Sequence, residues 1–294
     1  DFWTVYVNAA LGSANVYLPT FHPEEFLRLV EAHGVTDTVI VPPMISMIVN
    51  HPSFDKYNLS SLRRMLYGAS PMPEPLIKLA MRKLPQVEFN QVYGMTELSP
   101  MAVLLEHEEH RGERLAAAGR PGMGVEVRVV DFNDRDVPVG ESGEVLARGW
   151  NVMKGYWKRP EITRDALRGG WMHTGDIGKF DEGGFLYILD RKKDMIKPGG
   201  ENVYSPEVES MILGHPAVLE ASVIGVPHEK WGETIRAVVV CRPDHAIEEM
   251  DLIAWCRERM THFKCPTSVV VVDALPKGGT GKIQKNVLRE RYGT

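Results

Sequence analysis

Cysteine is scarce in this chain: Cys241, Cys256 and Cys265 are an odd set of three in 294 residues and show no C-x-x-C spacing. That fits neither a disulfide framework nor a cysteine zinc site, and it makes a reducing cytoplasm the default compartment. An excess of positive charge is also missing, with 34 Lys and Arg against 39 Asp and Glu and a net charge of −5. Affinity for phosphate backbones comes from clustered Lys and Arg, so no nucleic-acid partner is expected, whereas a small anionic substrate is allowed. No apolar run approaches the roughly 18 residues of a membrane span, so no transmembrane segment is expected. The opening Asp1-Phe2-Trp3 lacks the positive flank of a signal peptide, and the missing initiating methionine together with structured-looking sequence from Val5 to Leu18 predicts an artificial or cleaved N-terminus. Internal repeats and low-complexity tracts are absent.

What remains is ordinary globular composition, 44% hydrophobic and 25% charged, with room for about two domains. Pro23 to His33 reads as a helix with proline at its first position and Gly34 as its stop. A β-branched strand, Thr38 to Val41, ends at Pro42-Pro43; a helix from Glu74 to Leu84 precedes a strand from Val87 to Val92. Alternating strands and helices imply a mostly parallel, helix-covered sheet. From Gly119 to about Asp190 the texture becomes short strands broken by glycine (Val125–Val130, Gly143–Ala147, Phe185–Leu189), a small β-subdomain. Beyond Asp194 a helix opened by Ser205-Pro206-Glu207, strands at Ala221–Val226, Ile235–Cys241 and Ser268–Asp273, and a helix at Ile247–Met260 make an α+β unit. The expected fold class is therefore α/β: part of a large α/β domain (1–118) with a β-subdomain (119–190), then a small α+β lid (191–294), the charged segment Asp190–Asp194 forming the boundary.

Four polar, glycine-rich signatures follow one another: Tyr93-Gly94-Met95-Thr96-Glu97, His173-Thr174-Gly175-Asp176, Asp190-Arg191-Lys192-Lys193-Asp194, and Gly281-Lys282. The first runs from a strand into a glycine turn, the place where open α/β sheets bind ligands. Alone, each has an ordinary reading: a turn with a helix acid, a surface turn with an Asx cap, a solvated charge run. Pro276 to Ile283 is superficially like a P-loop, but Pro276 and Ile283 stand where glycine and Ser or Thr are required. His107-Glu108-Glu109-His110 spaces its histidines i, i+3 and reads as a solvated polar stretch, not a zinc helix. Cys265 reads as a loop residue with nothing local to lower its thiol pKa.

The ordered series resembles the adenylate-forming superfamily of acyl-CoA synthetases, luciferases and adenylation domains, along essentially the whole chain. The resemblance implies an ATP-dependent acid–CoA ligase that converts a fatty or aromatic carboxylic acid into an acyl-adenylate and then its coenzyme A thioester. It implies that Gly68-Ala69-Ser70 form the adenine wall, Tyr93 stacks on adenine beside Gly94, Thr96 bonds the α-phosphate, and Glu97 holds Mg²⁺. Asp176 and Arg191 would bind the ribose, Lys193 would be the hinge, and Gly199-Gly200 would line the passage of the CoA arm. Lys282 would be the catalytic lysine bridging the carboxylate and the α-phosphate. A hard cation needs oxygen donors such as Glu97, and a guanidinium fork suits vicinal oxygens, so the residue types agree with these roles.

The family's Ser/Thr/Gly-rich phosphate loop is found nowhere here, so the sequence reads as a fragment. Two other readings therefore stay open, a truncated non-catalytic nucleotide-binding module and an adenylation domain serving a carrier protein. Truncation would expose sheet edges, which leaves homo-oligomer formation open as well.

Overall fold

The computed structural model describes residues 2–278 and 281–294, which build three sheets. Helix α1 (Phe2–Ala10) precedes α2 (Pro23–His33), β1 (Asp37–Ile40), α3 (Pro42–Val49), β2 (Arg64–Gly68), α4 (Glu74–Lys83) and β3 (Glu88–Tyr93). α2 has the predicted bounds. Proline opens it at no cost in hydrogen bonds, and Gly34, in the left-handed region at φ 59°, closes it by donating to the Val30 carbonyl. The prolines that were expected only to end the first strand also open α3, because a helix's first turn has no use for the N–H that proline lacks.

β1, β2 and β3 are parallel, pairing Thr38 with Met65 and Met65 with Phe89. β4 (Val103–Leu105) and β5 (Arg120–Pro121) then add antiparallel strands, so this five-stranded sheet is mixed. Its core is a continuous cluster that includes Leu27, Ile45, Met65, Tyr67, Ile77 and Phe89.

β6 (Val125–Val130), β7 (Gly143–Gly149), β8 (Met172–Phe180) and β9 (Leu186–Arg191) form an antiparallel sheet, with α5 (Pro160–Ala166) between β7 and β8. Val129, Val145, Met172 and Leu186 of this sheet share a buried cluster with Leu98 and Val103. The third sheet joins β10 (Val218–His228), β11 (Gly232–Cys241) and β12 (Ser268–Val271). Alternation along β10 and β11 gives it two apolar faces. Val223, Ile235, Ala237 and Val239 pack with α6 (Ser205–Leu213) and α7 (Glu249–Arg257), while Ile224, Val226 and Val238 pack with Leu288 of α8 (Lys285–Tyr292).

Candidate nucleotide and acyl-transfer site

β2 and β3 approach so closely at their ends that a Cβ on Gly68 would lie 2.0 Å from the Val92 carbonyl oxygen. The chain leaves β2 through Ala69, held at a left-handed φ of 66°, and reaches Ser70, whose buried hydroxyl has no hydrogen-bond partner. β3 leaves through Gly94, where a Cβ would meet the Pro100 carbonyl at 1.9 Å. Thr96–Leu98 then form a single 3₁₀ turn, closed by Ser99 in the left-handed region.

The loop after β7 clamps that turn. Asn151 Nδ2 donates to the carbonyls of Leu98 (3.0 Å) and Met101 (2.9 Å), and the Met153 N–H donates to the Glu97 carbonyl at 2.8 Å. The Tyr156 hydroxyl donates to Glu97 Oε1 at 2.9 Å. Sequence reasoning missed Asn151 and Tyr156; both lie 50 or more positions from their partners, and nothing local marks either residue.

His173-Thr174-Gly175-Asp176 lies inside β8, where the isolated motif had the alternative of a surface turn. The Thr174 hydroxyl donates to the Val145 carbonyl at 2.7 Å, and the motif's carboxylate faces a prepared environment. Asp176 is 5% exposed; Oδ1 accepts from Arg191 Nε at 2.7 Å and Oδ2 from the Tyr93 hydroxyl at 2.7 Å. Burial pushes the Asp176 pKa up, and Arg191 and Tyr93 oppose that rise. Burial also raises the Tyr93 phenol well above its ordinary range, and the neighbouring Asp176 carboxylate adds to the rise, so the hydroxyl stays a donor.

Lys282 sits on a loop closed on itself. Lys277 bridges Ile283, the Gly278 N–H donates to the Lys282 carbonyl at 2.8 Å, and the Gln284 N–H donates to the Pro276 carbonyl at 2.8 Å. Gly281 supplies the required φ of 78°. Gly279 and Thr280 of this motif lie outside the described residues. Partial burial and the Arg191 guanidinium push the Lys282 ammonium pKa down, while Asp176 pulls it back. Tyr93, Asp176 and Arg191 of the first three signatures thus meet in direct contact, and the charges of Asp176 and Arg191 act on Lys282 of the fourth.

Other predicted positions lie farther out. Gly199 and Gly200 have φ of 62° and 93°, and the Gly199 N–H donates to the Trp231 carbonyl at 2.9 Å. A Cβ on Gly199 would stand 2.9 Å from the Trp231 ring, so glycine is what lets this loop lie against the indole. Lys193 borders a cavity of about 300 Å³ with Asp194, Ile196, Gly225 and Arg289.

The stretch His107–His110 is not a solvated run. His110 is 5% exposed, with Nδ1 2.9 Å from the Glu106 carbonyl, which can only accept, so Nε2 accepts from the Tyr67 hydroxyl at 2.9 Å. His107 Nδ1 accepts from the Phe89 N–H at 3.1 Å, so both histidines brace the central sheet. Burial raises the Cys265 thiol pKa, in agreement with an unreactive loop cysteine.

A fold with an open α/β sheet, an antiparallel sheet bearing a buried Asp–Arg pair, and a lysine loop beside that pair defines the class. The chain belongs to the AMP-binding enzyme family: residues 1–157 match the AMP-binding enzyme family and residues 207–282 its C-terminal domain. It is similar to a feruloyl-CoA synthase of Amycolatopsis sp, with 42% identity over 96% of this chain and 57% of that protein. It is also similar to the medium/long-chain-fatty-acid–CoA ligase FadD8 of Mycobacterium tuberculosis, with 38% identity over 96% of this chain and 50% of that one. Among solved structures, ATP-bound MatB from Rhodopseudomonas palustris superposes with a TM-score of 0.89 at 35% identity, over 99% of this chain and 57% of that chain. The chain thus spans about half the length of the relatives it matches. Among the described residues, no helix is long and apolar enough to cross a membrane.

Proposed function

We propose that the protein carrying this chain is an ATP-dependent acid–CoA ligase acting on a fatty or aromatic carboxylic acid in the cytoplasm. The observation that carries this reading is the buried Asp176 carboxylate, held by Arg191 and Tyr93, with the Lys282 ammonium within electrostatic reach of the same pair.

In the first step a carboxylate oxygen of the acid bonds to the α-phosphorus of ATP, and the bond to the β-bridging oxygen breaks, releasing pyrophosphate. Repulsion between the two anions is the main obstacle. A unit cation about 4 Å away contributes on the order of 4 kcal/mol at an effective dielectric near 20, so Lys282 opposes it as an electrostatic stabiliser and not as a base. Asp176 accepts from the ribose hydroxyls with Arg191 beside it, Thr96 donates to the α-phosphate, and the unpartnered Ser70 hydroxyl lies at the adenine wall formed with Gly68 and Ala69. In the second step the thiol sulfur of coenzyme A bonds to the acyl carbon and AMP leaves, the thiol proton passing to solvent. The small C-terminal unit turns about Lys193 between the steps and brings the Gly199-Gly200 loop to the acyl group.

Mg²⁺ fits Glu97. Tyr156 bonds Oε1 and fixes the carboxylate, Oε2 lies outside that bond, and an all-oxygen donor suits a hard cation. The ion neutralises phosphate charge when bound.

The test is acid-dependent pyrophosphate release from MgATP across a panel of fatty, aryl and amino acids, using this chain and a form extended to the length of its relatives. Release by the extended form with fatty or aryl acids, lost in Lys282→Ala, supports the ligase. Nucleotide binding without release under any condition supports a binding module instead.

A further inference from the structure

Asp190 and Arg191 are consecutive, yet they serve different places. Arg191 meets Asp176, whereas Asp190, 6% exposed, turns toward the C-terminal unit. Its Oδ1 accepts from the Arg191 N–H at 2.7 Å; its Oδ2 accepts from Ser205 twice, from the N–H at 2.7 Å and the hydroxyl at 2.8 Å. Ser205 is fully buried at the start of α6. Lys285, the first residue of α8, donates to that hydroxyl and pairs with Glu209 at 2.8 Å. Glu209 in turn accepts from the Val223 N–H at 2.8 Å, which ties the group to β10. A turn farther along α8, Arg289 pairs with Asp194 at 2.6 Å.

Asp190 precedes Lys193 in the chain, whereas Ser205, Glu209, Lys285 and Arg289 follow it. The relay from Lys285 through Ser205 to Asp190 therefore crosses the hinge, while the Arg289–Asp194 pair lies wholly beyond it. Lys282 is three residues before α8, on a loop closed on itself. Where α8 stands relative to β9 thus determines where Lys282 stands relative to Asp176 and Arg191.

We propose that Asp190, Ser205 and Lys285 form a positioning latch that holds the C-terminal unit in the pose delivering Lys282, and that the latch opens for the second half-reaction. This rests on the ligase reading above. The chemistry suits reversible use. Closed, a buried carboxylate is satisfied by three donors and a nearby cation; open, water replaces the two bonds from Ser205, so neither state strands a charge.

The experiment uses the protein at the length of its relatives and separates two rates: acid-dependent pyrophosphate release, and thioester formation from a synthetic acyl-adenylate and coenzyme A. Asp190→Asn and Lys285→Met are each expected to slow pyrophosphate release roughly tenfold, the scale of one charge-assisted bond, while thioester formation stays at or above the wild-type rate. Lys285→Arg should restore most of the loss. Trypsin should cut after Lys192 or Lys193 faster in Asp190→Asn than in wild type. Unchanged pyrophosphate release, equal loss of both rates, or unchanged cleavage overturns the latch. A wild-type protein that releases no pyrophosphate with any acid overturns the ligase reading itself, and the cleavage rates still report on the latch.

Discussion

Arg191 Nε lies 2.7 Å from Asp176 Oδ1, and the two residues are direct register partners across β8 and β9. Backbone pairing, rather than side-chain reach alone, holds the ion pair, so less rotamer entropy is lost when a ligand engages it. Asp176→Asn or Arg191→Leu should raise the ATP concentration for half-maximal pyrophosphate release by roughly 10- to 100-fold, the range for hydrogen bonds to charged groups. Initial rates against ATP at saturating acid check this, and an unchanged ATP dependence would remove the ribose role.

Lys282→Ala should cut pyrophosphate release by at least about a hundredfold, since one preorganised donor is worth on the order of 3 kcal/mol in a transition state. Thioester formation from a supplied acyl-adenylate should survive. Equal loss of both half-reactions would place Lys282 outside the adenylation step.

The pH dependence has a definite sign. Burial and Arg191 lower the Lys282 pKa, so the folded protein gives up this proton at a lower pH than an ordinary lysine. Adenylation should therefore decline on the alkaline side before the usual lysine range is reached, and Lys282→Arg should remove that limb. Between the lowered folded pKa and the ordinary value the unfolded chain binds more protons, so the cost of holding this ammonium is present at neutral pH and relieved as pH rises. Lys282→Ala should accordingly leave the melting temperature at neutral pH unchanged or higher while abolishing activity.

Local signals were legible where residues carry them. Proline at the first turn and glycine beyond the last gave α2 its bounds, and β-branched alternation gave β6 its bounds. The four signatures marked Tyr93, Asp176, Arg191 and Lys282; the first three are in contact, and Lys282 feels the charges of Asp176 and Arg191. What stayed hidden depends on distant partners. β2 is visible as a strand only through its pairing to β1 and β3, and α8 is a polar helix that depends on Leu288 packing into the third sheet. Asn151, Tyr156 and the buried His110 look like ordinary polar residues until the fold supplies their acceptors.

Two glycine substitutions separate steric need from backbone preference. Gly68→Ala drives a Cβ to 2.0 Å from the Val92 carbonyl and should cost at least about 1–3 kcal/mol, as overpacking does. Gly34→Ala meets open space and bears only its left-handed φ, about 1–2 kcal/mol. Urea midpoints should rank wild type above Gly34→Ala above Gly68→Ala, and the reverse order of the variants would contradict the packing at β2.

Tyr156→Phe frees Glu97 Oε1 without altering the carboxylate's charge. The Mg²⁺ concentration for half-maximal pyrophosphate release should rise, by roughly tenfold, the lower end for loss of an outer-shell partner, and Glu97→Gln should exceed it. Equal Mg²⁺ dependence in all three proteins would detach Glu97 from the ion.

The most direct test of the central claim follows the substrate's own oxygen. An acid labelled with ¹⁸O in its carboxylate is turned over with MgATP and coenzyme A by the protein at the length of its relatives, and the nucleotide product is weighed by mass spectrometry. Attack of the carboxylate on the α-phosphorus leaves a labelled oxygen in AMP and none in pyrophosphate. Thioester formation with unlabelled AMP would contradict an acyl-adenylate and the site built around Asp176, Arg191 and Lys282.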